Sequence, residues 1–175
     1  RELLHKTEAG AVRLNVAPQD AATVCAEIEI SARKAGVKAP EGFLIQEQVT
    51  ESVEMILGFR RDPALGPAIL LGAGGTLAEI YDDVAIALLP LGKNDIRRMI
   101  ETLKLAPLLN GYRGHRPADT DGLVETVSHF ADMCLALDQT LVEAEINPLF
   151  VGDTQSGIRA GDGVVGCSDR QPENS

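Results

Sequence analysis

The chain has 175 residues, with 16 Lys and Arg against 26 Asp and Glu, so its net charge is −10. The size fits roughly one domain of ordinary globular composition, and the acidic balance argues against nucleic acid or an anionic membrane as partner, because both are polyanions. Hydrophobic residues make up 45% and aromatic residues 3%, with no Trp and three Cys that form no CxxC pair, so an aliphatic core and a reducing, cytoplasmic setting are expected.

The longest apolar run, Val84–Leu89, is far shorter than the ~20 residues a membrane helix needs, and the opening carries no secretory signal pattern. The chain starts at Arg1 in dense sequence, which fits a piece of a longer protein. The alternation of Val12 to Val16 predicts a strand. A helix follows Pro18, with Ala21, Val24, Cys25, Ile28 and Ala32 on one face and Gly36 as its stop. Phe43-Leu44-Ile45 reads as a short strand running into Gln46-Glu47-Gln48-Val49. Strands are expected at Val53–Phe59, Ala68–Leu71 and Val84–Leu89, with a turn at Arg60–Pro63. Asn94 or Asp95 caps a helix whose face is Ile96, Met99, Ile100 and Leu103. Beyond the Gly111–Gly114 loop, Asp119 or Thr120 caps a second helix that buries Leu123, Val127, Phe130, Ala131 and Cys134. Leu141–Phe150 is strand-like, with Gly157–Ala160 as its hairpin partner. Asp82-Asp83 reads as solvated charge, Met55, Met99 and Met133 as core fillers, His115 as a loop residue and His129 as helix surface. Mixed strands and helices without a repeat give an α+β or α/β class.

Several common site patterns are absent. The third glycine of a dinucleotide fingerprint starting at Gly72 would fall at Leu77, and Gly92-Lys93-Asn94 does not complete a P-loop. Three constellations can carry chemistry. His5, beside Lys6, Thr7 and Gly10, offers a neutral imidazole able to accept a phosphoryl group, or is a loop histidine with no role. Gly72-Ala73-Gly74-Gly75, followed by Glu79, lets backbone N–H groups approach an anion, or is a tight turn between buried strands. Glu145 and Asn147 share one strand face by the period of two, and Asp162 joins them if the next strand pairs back. Such hard oxygen donors suit Mg²⁺, or are polar strand residues facing water.

Taken in order, these segments resemble the ATP-grasp portion of the acyl-CoA synthetases of the nucleoside-diphosphate-forming type. That family includes the ADP-forming acetyl-CoA synthetases and is related to the succinyl-CoA synthetase β subunit. The resemblance rests on Leu4-His5-Lys6-Thr7-Glu8-Ala9-Gly10, Gln46-Glu47, Val53–Gly58, Arg61-Asp62-Pro63 with Gly66-Pro67, Gly72–Gly75 with Glu79, Leu89-Pro90-Leu91, Gly111–Gly114, Pro117-Ala118-Asp119, Glu145–Leu149 and Asp162. It spans residues about 3 to 165. Glu8 stands where the family has Asp, and Ala11 where it has the second of two glycines.

The resemblance implies an α+β ATP-grasp fold with mixed or antiparallel sheets and packed helices, its N-terminal part truncated. Residues 1–48 would be the remainder of the N-terminal subdomain, 49–166 the C-terminal subdomain and 167–175 a disordered tail. It implies catalytic His5 and Glu145, the histidine receiving a phosphoryl group and the carboxylate supporting it. It implies nucleotide contacts from Gln46, Glu47, Val49, Glu54, Gly74 and Gly75, and a Mg²⁺ ion held by Asn147 and Asp162. The cofactors would be ATP or ADP with Mg²⁺. The partners would be CoA-binding and ligase domains or a subunit of the same enzyme, in an oligomer. The reaction implied is carboxylic acid + CoA + ATP to acyl-CoA + ADP + phosphate, through acyl phosphate and phosphohistidine. Two alternatives stand beside it. An ATP-grasp ligase joining a carboxylate to an amine would make His5 incidental. A non-catalytic nucleotide-sensing module fused to an acetyltransferase would only bind, which the presence of His5, Glu145, Asn147 and Asp162 disfavours.

Overall fold

The computed structural model describes residues 10–37, 42–50, 52–75, 82–112, 114, 116–137 and 140–168. His5, Glu79 and His115 lie outside the described residues. The chain divides into two compact units, residues 1–50 and 51–175.

In the first unit a single 3-10 turn, Pro18–Asp20, leads into helix α1, Ala21–Lys34. Gly36 follows at φ +94°, the left-handed stop that the sequence suggested. Of the expected apolar face only Ala32 is buried, while Val24, Cys25 and Ile28 are half-covered. The two expected strands are not there. Residues 12–16 and 43–45 join no ladder among the described residues, Leu14 is 69% and Leu44 83% exposed, and Asn15 takes φ 56°. Alternation marks a strand only where a neighbour supplies hydrogen bonds and a surface to cover. The Asn15 N–H donates instead to a side chain, Gln48 Oε1, at 2.6 Å.

The second unit holds six strands and three helices among its described residues. These are β1 Val53–Asp62, β2 Gly66–Ala73, β3 Val84–Leu88, α2 Lys93–Thr102, α3 Ala106–Leu109, α4 Thr120–Leu137, β4 Leu141–Val151, β5 Ile158–Ala160 and β6 Gly163–Cys167. The strands form one antiparallel sheet in the order β3-β2-β1-β4-β5, with β6 beside the first half of β4. The α+β class therefore holds, with antiparallel pairing throughout. The β4–β5 hairpin forms where expected, but β6 and the one-turn α3 were not anticipated. Cys167, the first residue of the expected tail, closes β6, and the Ser168 N–H donates to the Thr140 carbonyl at 2.8 Å.

One face of the sheet makes the core. Met55, Leu57 and Phe59 of β1, Ile69 and Leu71 of β2, and Ala144, Leu149 and Val151 of β4 pack under Ile96, Met99 and Ile100 of α2 and Leu123, Val127, Phe130, Ala131 and Cys134 of α4. Each large side chain so covered is worth roughly 1.5–3 kcal/mol. An exposed ion pair such as Lys93–Glu125, at 2.5 Å, contributes at most about 1 kcal/mol. Apolar burial therefore sets the arrangement. Met133, expected in the core, is 36% exposed because it lies at the flank of the stripe formed by Leu123, Val127 and Cys134. His129 lies exposed on α4, as expected.

Aspartates finish the helix ends. Asp119 precedes α4 and accepts the Gly122 N–H at 2.9 Å. At α2 the position before the helix is Gly92, not Asn94, and Asp95 reaches back to accept the Gly92 N–H at 3.1 Å. Asp83 is the largest departure from expectation. It is buried, 6% exposed, and its two carboxylate oxygens accept the Lys104 N–H at 2.7 Å and the Leu105 N–H at 2.8 Å. Its own carbonyl accepts the Ala73 N–H at 2.9 Å. It thus fixes the α2–α3 turn to the head of β3, work that an adjacent exposed Asp82 conceals in the sequence.

Asp83→Ala leaves two covered N–H groups without an acceptor and is expected to lower stability by about 2–4 kcal/mol in urea unfolding, the m-value unchanged. Burial pushes the Cys134 thiol up to about 11. A disulfide reagent at pH 8 is therefore expected to modify exposed Cys167 and to spare Cys134 in the folded chain.

Candidate functional site

Because one face of β1 and β4 is committed to the core, the alternate residues emerge on the other face. The register places Gly58 opposite Glu145 and Glu54 opposite Phe150 on that face. Glu145 and Asn147 are both exposed there. Between Met55–Leu149 and Leu57–Ile146 the ladder slips by one residue, so the extra residue lies in the Asn147–Pro148 segment of β4. The Asn147–Pro148 peptide is cis.

The same irregularity is met on the far edge of β4, where β5 stops at Ala160 and β6 begins at Gly163. Asp162 lies in that break. The Asn147 N–H donates to the Asp162 carbonyl at 3.1 Å, and the Gly161 N–H donates to the Pro148 carbonyl at 2.9 Å. The Asn147 Nδ2 donates to Glu145 Oε1 at 3.4 Å, which leaves its amide oxygen directed elsewhere, and Asp162 Oδ1 accepts the Gly163 N–H at 2.8 Å. Sequence positions 145, 147 and 162 are therefore brought together.

The donor chemistry fits a hard divalent cation only in part. Among the described residues no group of three His, Cys, Asp or Glu side chains gathers as a metal cage. An amide oxygen and one or two carboxylates, completed by water and phosphate oxygens, is the pattern Mg²⁺ accepts.

Glu54, Gly74 and Gly75 form a second group at the end of the sheet. The Gly74 N–H donates to the Glu54 carbonyl at 2.9 Å. A Cβ at Gly74 would stand 2.6 Å from the Met55 backbone, and Gly75 has φ +59° with the Glu54 carboxylate over its Cα. Both positions therefore require glycine. Glu54 and Gly74 border a cavity of about 590 Å³, whose opposite wall is made by Leu108, Tyr112, Gly114 and Arg116 and whose end is the β4–β5 turn. Tyr112, Arg116 and Asp153 were not singled out by sequence. The Gly111–Gly114 loop and the turn at Gly152 were visible, but nothing in their order says that they face one another. Asp153 accepts the Ser156 N–H at 2.9 Å, the Gln155 N–H at 3.1 Å and Arg116 Nη1 at 3.3 Å. The backbone and hydroxyl of Ser156, with Arg116 beside it, hold its carboxyl below the usual carboxylate range.

Gln46, Glu47 and Val49 belong to the first unit, where they lie outside any helix or strand, the first two exposed and Val49 half-covered. His5 lies outside the described residues. No helix among the described residues is long and apolar enough to cross a membrane.

Comparison with known proteins gives a consistent picture. The family model for an ATP-grasp domain matches residues 1–165. The β subunit of an ADP-forming acetate–CoA ligase II from Pyrococcus furiosus is 34% identical over 166 residues, covering 94% of this chain and 68% of that subunit. An ADP-forming 4-hydroxybutyrate–CoA ligase from Nitrosopumilus maritimus is 33% identical over 168 residues, but this chain spans only 24% of its length. Among solved structures, a Ca. Korarchaeum cryptofilum acetyl-coenzyme A synthetase 1 superposes with a TM-score of 0.74 at 26% identity, over 95% of this chain and 72% of the other. That structure holds coenzyme A and Mg-AMPPCP, with its phosphohistidine segment pointing towards the nucleotide-binding site.

Gly74→Ala forces backbone apart at the β1–β2 end and is expected to cost about 1–3 kcal/mol in chemical unfolding. Because the folded Asp153 carboxyl is depressed, its stabilising effect is present at neutral pH and fades as pH falls through its folded pKa. The melting temperature of the wild-type chain is therefore expected to fall more steeply between pH 5 and pH 3 than that of Asp153→Asn.

Proposed function

The chain belongs to the ATP-grasp domain family, in the group represented by β subunits of ADP-forming acetate–CoA ligases, and from that premise we propose that it is the nucleotide-binding and phosphoryl-transfer part of an acid–CoA ligase. The overall reaction is carboxylic acid + CoA + ATP to acyl-CoA + ADP + phosphate, in either direction. CoA-binding and ligase domains, in the same chain or a second subunit, handle the acyl group. The observation that carries this reading is the meeting of Glu145, Asn147 and Asp162 on the open sheet face.

Phosphoryl transfer asks mainly for position and for neutralised charge. On a chain of net charge −10, a triphosphate is held only where cation and backbone N–H groups offset repulsion. The Asn147 amide oxygen and the Asp162 carboxylate are the residues to hold Mg²⁺, which when bound neutralises the phosphate oxygens. Gly74 and Gly75, packed against Met55 and Glu54 at the end of β2, stand beside the phosphate or sugar. Glu54, an exposed acceptor beside them, suits a hydroxyl-bearing sugar. Gln46, Glu47 and Val49 serve the base, largely through backbone groups.

His5 takes the phosphoryl group on one ring nitrogen and passes it on. Glu145 accepts the hydrogen of the other nitrogen, so that the attacking one keeps its lone pair. Residues 1–48 and 49–166 then correspond to the N-terminal remainder and the C-terminal subdomain of the ATP-grasp fold.

Calorimetry of the chain with ADP is expected to show binding that strengthens with Mg²⁺, and Asn147→Ala or Asp162→Ala is expected to reduce the Mg²⁺-dependent part at least tenfold, about 1.4 kcal/mol. With the complete enzyme, ATP is expected to leave an acid-labile, base-stable label at His5. Peptide mapping that finds no label there, or an unchanged label on His5→Ala after the partner phosphohistidine is separated, removes the histidine from the scheme.

A further inference from the structure

The cavity at the end of the sheet has one wall drawn from the proposed nucleotide site and one that is not. Ser52, Val53, Glu54 and Gly74 form the first. The second is made by Leu108, Tyr112, Gly114, Arg116 and Ala118, which beyond Leu109 lie in no helix or strand among the described residues. This wall is fastened at both ends through backbone. The Ala118 N–H donates to the Leu109 carbonyl at 2.8 Å, and the Asp119 N–H donates to the Gly152 carbonyl at 2.7 Å. Between those fastenings, Arg116 meets Asp153 across the cavity's end.

The two partners are unequal. Asp153 is 21% exposed and its carboxylate is already aimed by the Gln155 and Ser156 N–H groups, whereas the Arg116 side chain is 73% exposed. A pre-set, partly covered acceptor thus meets an exposed donor. The contact adds little to global stability, because the pair is wet. It acts instead locally, on the side of the cavity lined by Tyr112, Gly114 and Arg116.

We infer that Arg116 is a positioning residue for nucleotide binding, tying the second wall through Asp153 to the β4–β5 turn that closes the cavity's end, and so fixing its distance from Glu54 and Gly74. Arg116 does not touch the nucleotide; it sets how closely the second wall approaches it. This rests on the nucleotide reading of Glu54 and Gly74 above.

The test is calorimetry of the chain with ADP and Mg²⁺ at low and high salt, using Arg116→Gln, Asp153→Asn, the double variant and Arg116→Lys. Loss of the tie is expected to raise Kd about three- to fivefold at low salt, the range an exposed ion pair can command. The double variant is expected to bind no more weakly than either single one, and Arg116→Lys to recover most of the loss. The ratio of variant to wild-type Kd is expected to shrink towards one as salt screens the pair. A general loosening of the fold would leave that ratio independent of salt and Arg116→Lys as weak as Arg116→Gln, and either result overturns the inference. Wild-type binding with unchanged Kd in both single variants overturns the inference alone. A wild-type chain that does not bind ADP at all overturns the nucleotide reading and this inference with it.

Discussion

The register between β1 and β4 is the constraint on which the rest depends. These strands lie side by side in the middle of the sheet, and their side chains alternate between two faces with no freedom to choose. Once Met55, Leu57 and Phe59 are buried against α2 and α4, Glu54 must emerge opposite them, and Gly58 must stand opposite Glu145. A slip of one position would bury the carboxylates and expose the core. The single extra residue at Asn147–Pro148 is tolerated because the sheet answers it on the other side, where the break between β5 and β6 falls at Asp162. One irregularity, shared by three strands, thereby turns two ordinary polar residues and a distant aspartate into neighbours.

The acidic composition has two separate uses. Asp83, Asp95, Asp119 and Asp153 each accept backbone N–H groups at a turn or helix start, and Asp62 does the same for the β1–β2 turn. These carboxylates are spent on chain geometry, with short side chains matched to local donors. Glu54 and Glu145, longer and exposed, are not so engaged with backbone among the described residues, and they face the side of the sheet opposite α2 and α4. Net charge alone does not separate the two groups; side-chain length and position in the element do.

Much of the second unit was legible because its signals are local and redundant. The faces of α2 and α4 were read correctly at Ile96, Met99, Ile100 and Leu103, and at Leu123, Val127, Phe130, Ala131 and Cys134, since a helix shows its buried stripe at fixed spacing. The β4–β5 hairpin carried both turn residues and flanking strands. The first unit was read wrongly at 12–16 and 43–45 for the converse reason: an alternating pattern states what a strand would bury, not whether a neighbour exists. Asp83 was misread because its acceptors' partners, Lys104 and Leu105, lie more than twenty positions away. The meeting of Arg116 with Asp153 was invisible for the same reason. The glycines at 74 and 75 were flagged as permissive backbone, and the structure supplies the two reasons, close approach to Met55 in one case and a left-handed φ in the other.

The central position of β1 also has a consequence for how the chain is made. Strands β1, β2 and β3 are consecutive and form a meander as soon as they leave the ribosome, but one long edge of β1 waits for β4, about 80 residues further on. At ordinary rates of synthesis that is roughly 4–16 s during which an unsatisfied, largely aliphatic edge is open to the wrong neighbour. The helices α2 and α4 are translated inside that interval, and they can settle on the waiting face before the edge is closed. The order of elements along the chain thus supplies the helices for the apolar face before β4, and the oxygen cluster at Asn147 and Asp162 can form only once β4 and the segment after it have been made.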